Sequence, residues 1–269
     1  MKHISSVKMK GEMDGRIYKI RNGKNYSSKK PAKGIKKNEP ELKGQYSRTA
    51  FLNELAGEIN DRITGYNSFI KVGNFYQNMQ SRFRKEPTNN RLLLLNQLKG
   101  MDINPKHPFR KLCAPPLLKV KGLTDKIIVE LDVKGRIETE KADACRYLLQ
   151  VVLLLWDDSG APCELRKNRT KWIEMNGEYP IYDIPFLKPD GATDYMVCVH
   201  ISLGNKRHEY NEQGTQGMLV MEVGSFNKKS QALLDERRNV NREAGSGGAA
   251  ETSIEEDEGV APRTVRRDK

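Results

Sequence analysis

Apolar residues change their spacing along this chain, and each change marks a boundary. Leu52, Ala56, Ile59 and Ile63 recur at helical spacing, with Leu55 widening the stripe, which predicts an amphipathic helix with that stripe on a core. Glu39-Pro40-Glu41 supplies its start, because proline is tolerated in a first turn and acids are favoured there. After a break near Gly65, the residues Phe69, Tyr76, Met79 and Phe83 continue the helical spacing to about Lys85, and Pro87 ends it. Arg91 to Leu98 predicts a third short helix, so 41–98 reads as a helical segment.

Residues 99–116 hold four of the twelve prolines and no sustained period, and they read as an interdomain linker. Beyond them the period becomes two. Ile127, Val129, Leu131 and Val133 alternate with Ile128, Glu130 and Asp132, and Tyr195 to Leu203 alternates in the same way. Gly217 to Phe226 is again strand-like, and Leu148 to Leu155 is the densest apolar run, which makes it the expected central strand. Asp158-Ser159-Gly160, Asn176-Gly177 and Pro189-Asp190-Gly191 punctuate these runs as turns. Short strands between such turns over 117–226 predict an immunoglobulin-like antiparallel β-sandwich, with Trp156 or Trp172 filling its core. The fold class expected is therefore α+β.

The ends differ from the middle. Residues 227–242 can form a short polar helix, whereas 243–269 combine a Gly/Ala/Ser run, an acidic block and a basic finish, a composition that predicts disorder. At the front, 1–40 reads as an arm carrying a β-hairpin at about 16–29, since Asn22-Gly23 suits the positive φ angles of a type I′ turn. That turn pairs Arg21 with Lys24, Lys19 with Tyr26 and Ile17 with Ser28. Both faces are then mixed, and a lone hairpin of this kind is marginal in water. Like charges crowd its tip at Lys19, Arg21 and Lys24, a cost that an anionic partner would relieve.

Charge sharpens this picture. Residues 1–50 hold eleven Lys and three Arg against four acids, so +10 of the chain's net +12 sits in that segment. An affinity for polyanions is thus a property of the front of the chain, although the same run also suits a plain solvated leader. A mean hydropathy of −0.72 agrees with part of the 269 residues being arm and tail. Cys113, Cys145, Cys163 and Cys198 form no C-x-x-C pair, and the first twenty residues lack an apolar h-region, so free thiols in a reducing cytoplasm are expected. The run Leu148 to Trp156 falls far short of the ~20 residues of a spanning helix, so no membrane insertion is expected.

Candidate chemistry is sparse. There is no G-x-S-x-G elbow, no Gly-rich phosphate loop and no H-E-x-x-H motif, so no catalytic residue, cofactor or metal site is assigned. Cys198 and His200 lie two apart on one predicted strand and could begin a metal site with Cys145 or Cys163, but an i, i+2 pair is a common accident. Asp157-Asp158 reads better as the start of a turn than as an acid–base pair. Tyr179, Tyr182, Phe186 and Tyr210 are candidates for a carbohydrate- or ligand-binding rim, with core and edge positions as the plainer reading.

The spacing Gly11-x-x-x-Gly15-x-x-Tyr18-x-x-Arg21-Asn22-Gly23-Lys24-x-Tyr26, followed by Pro31, resembles the opening of an uncharacterised family of Bacteroidota proteins. Members begin with a Gly-rich hairpin, continue with a helical segment and end in a β-sandwich. Here Ser27 and Ser28 stand where that family tends to have an Arg after the second Tyr. The resemblance implies the order of parts over most of 9–226 and a bacterial or phage-like origin, with a virion location if phage-derived. It implies no activity.

Three functions are compatible with these residues. The leading expectation is a non-enzymatic interaction or assembly protein whose arm docks on a protein partner or on another copy. The second is nucleic-acid binding, with Lys19, Arg21, Lys24, Lys29, Lys30, Lys33, Lys36 and Lys37 on phosphates and Tyr18 or Tyr26 stacking. The third is a ligand-binding sandwich.

Overall fold

The computed structural model describes residues 11–13, 16–21, 24–29, 40–67, 74–133, 137–158, 162–177 and 181–246. Two compact units divide the chain, 1–53 and 54–269. The first contains a three-stranded antiparallel sheet in the order β1 (Gly11–Met13), β2 (Arg16–Arg21), β3 (Lys24–Lys29). Its second and third strands pair Arg21 with Lys24, Lys19 with Tyr26 and Ile17 with Ser28, the register that the Asn-Gly turn predicts. Asn22 and Gly23 themselves lie outside the described residues. Strand β1 adds a partner that alternation could not reveal in a run of three residues, and it pairs Gly11 with Tyr18. Helix α1 (Pro40–Tyr66) begins at the proline expected to start it.

The second unit is built on a long strand pair. Strands β6 (Arg146–Asp157) and β10 (Ala192–Gly204) run antiparallel from the pair Ala192–Asp157 to the pair Gly204–Arg146. Strand β11 (Gln216–Ser225) borders β10 on its other side, and β7 (Glu164–Arg169) and the short β8 (Ile173–Glu174) border β6. A separate sheet contains β4 (Leu117–Gly122), β5 (Lys126–Asp132) and β9 (Ile181–Leu187), in that order. Both sheets are antiparallel, and they do not close into one.

Alternation decides what each face meets. Leu149, Val151, Leu153, Val197, Val199 and Ile201 of the large sheet share one apolar core with Ile127, Val129, Leu131, Ile184 and Phe186 of the small sheet. The opposite face of the large sheet carries Leu148, Val152, Leu154, Trp156, Met196, Cys198 and His200, and it is buried as well. Helices lie on that side. In α1 the stripe Leu55, Ala56, Ile59 and Ile63 is buried, as its spacing requires. In α2 (Phe75–Phe83) the buried residues are Phe75, Met79 and Phe83, while Phe69 lies outside the described residues. Helix α3 (Arg91–Asn96) is capped by the Asn90 side chain, which accepts the Leu93 N–H at 3.1 Å, and it lies against β11.

Three expectations change. Neither tryptophan fills the space between the sheets. Trp156 has the opposite parity to Leu155 and faces the helices, where its Nε1–H donates to Glu58, and Trp172 is partly exposed under the Arg146 guanidinium. Tyr147, Phe186 and Tyr195 occupy the core instead. Residues 99–116 are not a free linker: Gly100 N donates to Val220 O, Val220 N to Met101 O and Ile103 N to Met218 O, so this segment covers the edge of β11. Gly100 holds φ +76°, which lets the chain turn from α3 onto that edge. Helix α4 (Phe109–Leu112) follows within the same stretch and sends Phe109 and Leu112 into the core. Lastly, α5 (Lys228–Ser246) extends past 242, and 247–269 lie outside the described residues.

Close backbone approach requires a glycine at 217. A Cβ on Gly217 would sit 2.8 Å from Phe109 Cα, a contact that no side-chain rotation relieves. A Cβ on Gly57, inside α1, would meet nothing within 4 Å. We therefore expect Gly217→Ala to destabilise the protein by about 1–3 kcal/mol through strain. Gly57→Ala should stabilise it by up to about 1 kcal/mol through helix propensity. Urea unfolding midpoints of the two variants test this opposition of sign.

Candidate functional site

Register sorts the arm residues into two sets. Lys19, Arg21, Lys24 and Tyr26 share one face of the N-terminal sheet, because Lys19 stands opposite Tyr26 and Arg21 opposite Lys24. Tyr18 and Lys29 belong to the other face. Lys30, Lys33, Lys36 and Lys37 lie outside the described residues. Tyr26 is 53% exposed, whereas Tyr18 is half-buried, so Tyr26 is the ring presented to solvent. In the order β1-β2-β3, the strand carrying Lys24, Tyr26 and Lys29 is an edge.

The most concentrated polar chemistry lies elsewhere, between α1 and the large sheet. At the end of α1 the Tyr66 hydroxyl donates to Gln150 Oε1 and lies 3.0 Å from His200 Nδ1. With its one proton given to Gln150, the hydroxyl must accept from Nδ1–H, which fixes the imidazole tautomer. His200 Nε2 is then an acceptor, and it makes no hydrogen bond among the described residues. Asn67 Nδ2 donates to Gln216 Oε1, and Gln216 Nε2 donates to Tyr210 O, so the seam continues along β11. Lys167 Nζ sits 5.7 Å from the Tyr66 ring centre.

Burial sets the protonation of this seam. His200 is 2% exposed, and burial pushes its pKa down to about 4, with Gln216 offsetting part of the effect. Burial, then the charge of Glu209, pushes the Tyr66 hydroxyl well above the ordinary tyrosine range. The Cys198 thiol is raised by burial alone. A neutral imidazole and a protonated thiol, both buried, and an un-ionised, partly buried phenol make a polar clasp between α1 and the large sheet. Cys198 and His200 do share a face, as their spacing predicts. Among the described residues, no group of three His, Cys, Asp or Glu side chains is placed to hold a metal ion.

Sequence reasoning singled out His200 but missed Tyr66 and Gln216. Gln150 was the available signal, since a lone amide inside the densest apolar run of the chain needs a buried partner. Other polar groups bind the helices to the same sheet. Arg91 of α3 forms an ion pair with Asp194 of β10 at 2.9 Å. Glu58 accepts from the Cys163 backbone N–H and from Trp156 Nε1.

Two remaining candidates carry less. Phe186 and Tyr210 are buried, Tyr182 is partly buried, and Tyr179 lies outside the described residues, so the described members of this set form no exposed aromatic rim. A surface cleft of about 880 Å³ is lined by Lys106, His107, Lys111, Glu138, Glu140 and Glu212 among others. Its charges are mixed, with Lys141 already bound to Glu212 at 2.7 Å, so it selects for no ligand of one sign. All four cysteines are free, and among the described residues no helix is long and apolar enough to cross a membrane. Compared with protein-family models, with curated proteins and with solved structures, the chain matches none.

The imidazole makes stability pH-dependent. Its pKa is 6.5 in an unfolded chain and about 4 in the fold, so the unfolded state binds a proton first as pH falls. Stability is full above about pH 6.5 and is lost progressively down to about pH 4, by roughly 3 kcal/mol. In His200→Gln that component should vanish. Denaturation midpoints of the two proteins between pH 7 and 4 should therefore converge, and a constant difference would refute the assignment.

Proposed function

We propose that this is a non-enzymatic interaction or assembly protein, in which the N-terminal sheet docks on an acidic surface of a protein partner or of another copy. One observation carries the reading: register gathers Lys19, Arg21, Lys24 and Tyr26 on a single face of a small sheet, with the Tyr26 ring exposed. Three neighbouring cations repel one another, so binding to an acidic surface lowers their mutual repulsion as well as adding contacts. In this proposal the second unit is the rigid body. Its reading as an immunoglobulin-like sandwich is supported by the apolar core that its two antiparallel sheets share. Helices on the outer face of the large sheet are an addition to such a fold.

Nucleic acid is the second reading, and the same face favours it. Cations along a β-ribbon with an exposed aromatic suit phosphates and a stacked base. Lys29 and Tyr18, on the opposite face, are not part of that contact set.

Substituting Lys19, Arg21 and Lys24 together by Glu in the full chain separates these outcomes. Capture of an acidic protein partner should be lost in that variant, and its retention would remove the arm from the docking surface. If nucleic acid is the partner, three phosphate contacts predict binding roughly 40-fold weaker at 200 mM than at 50 mM salt. Fluorescence anisotropy with a labelled oligonucleotide reads that slope, and no binding at the lower salt disposes of the second reading.

A further inference from the structure

The small sheet shows its inner face to the core and its outer face to solvent. Leu117, Ile181, Leu123 and Leu187 are exposed by 57, 65, 45 and 71%, half of the exposed large apolar side chains in the described residues. Scattered singly they would need no explanation. Register shows that they are not scattered. Leu117 and Ile181 flank Asp132 in one cross-strand row. Leu123, whose N–H donates to Lys126 O, and Leu187 flank Lys126 in another. The rows lie six residues apart along β5, roughly 20 Å, and each spans two strand spacings, roughly 10 Å. Four aliphatic side chains thus mark the corners of one face. Between the rows, Lys119 and Lys121 both bind Glu130, at 3.1 and 2.7 Å, and with Asp183 the face carries three charges of each sign.

We propose that this face docks on the same face of a second copy, through a two-fold axis lying in the interface and perpendicular to the strands. That axis lays the Asp132 row of one copy over the Lys126 row of the other. Leu117 then meets Leu123, Ile181 meets Leu187, and Asp132 meets Lys126, twice over by symmetry. The strands of the two copies stay aligned, as in face-to-face sheet packing. A two-fold axis along β5 would instead set Asp132 on Asp132 and Lys126 on Lys126, so the charge order selects the first. Lys119 does come to lie over Lys121 of the second copy, but each ammonium is already held by a Glu130 carboxylate. Asp132 has an interaction within its own chain, so its role is to set the sign of its end while the aliphatic corners supply the contact. A patch of this size falls below the ~800 Å² per partner of a standard interface, so the dimer is weak and forms with rising concentration. The inference does not depend on the N-terminal sheet.

Sedimentation velocity of the full chain from about micromolar to about millimolar concentration tests it. The natural chain should pass from monomer to dimer. Ile181→Glu/Leu187→Glu, at exposed sites with melting temperature as the folding control, should raise the dimer dissociation constant about tenfold or more. Asp132→Lys and Lys126→Asp should each weaken the dimer, and the two together should restore it, because each new charge again meets its opposite. A natural chain that stays monomeric throughout, a dimer unaffected by the two glutamates, or a double reversal without recovery overturns the proposal.

Discussion

Strands β6 and β10 bond to each other along nearly their whole length, and both are apolar on both faces. A sheet of that kind has no side that water can solvate, so it requires two covers. The small sheet supplies one, with Ile127, Val129 and Leu131 on the shared core. The helices supply the other, and their stripes are buried for the same reason. Covering β11 with residues 100–103 removes an exposed edge that the same logic makes hazardous.

Apolar contact alone does not orient a helix on a sheet, because sliding costs little where every neighbour is aliphatic. Polar pairs across that boundary give the packing its direction. Tyr66 on Gln150 and His200, Glu58 on Trp156 and the Cys163 amide, and Arg91 on Asp194 each fit one placement of helix against strand. Each would leave a buried polar group unsatisfied if the helix slipped by a turn. The buried histidine belongs to this set.

The surfaces follow a different rule. On the N-terminal sheet, register places Lys19, Arg21 and Lys24 on one face. On the outer face of the small sheet, charges of both signs lie between aliphatic corners, an order that complements itself.

Much of this was legible in the residues themselves. The Asn-Gly turn set the hairpin register, the Leu52-to-Ile63 stripe set the buried face of α1, and alternation placed Ile127 to Val133 and Tyr195 to Leu203 in strands. These are local matters, decided by turn chemistry and by period within a few contiguous residues. What lay beyond the sequence was which face meets what. Trp156 faced the helices because of its parity in a strand covered on both sides, and residues 99–116 joined the body because the edge of β11 offered them hydrogen bonds. Tyr66 met His200 across 134 residues of chain, a meeting that neither residue signals alone. Local order follows from each residue's neighbours in sequence, but pairing between distant elements is settled only when competing buried surfaces and unsatisfied polar groups are resolved together.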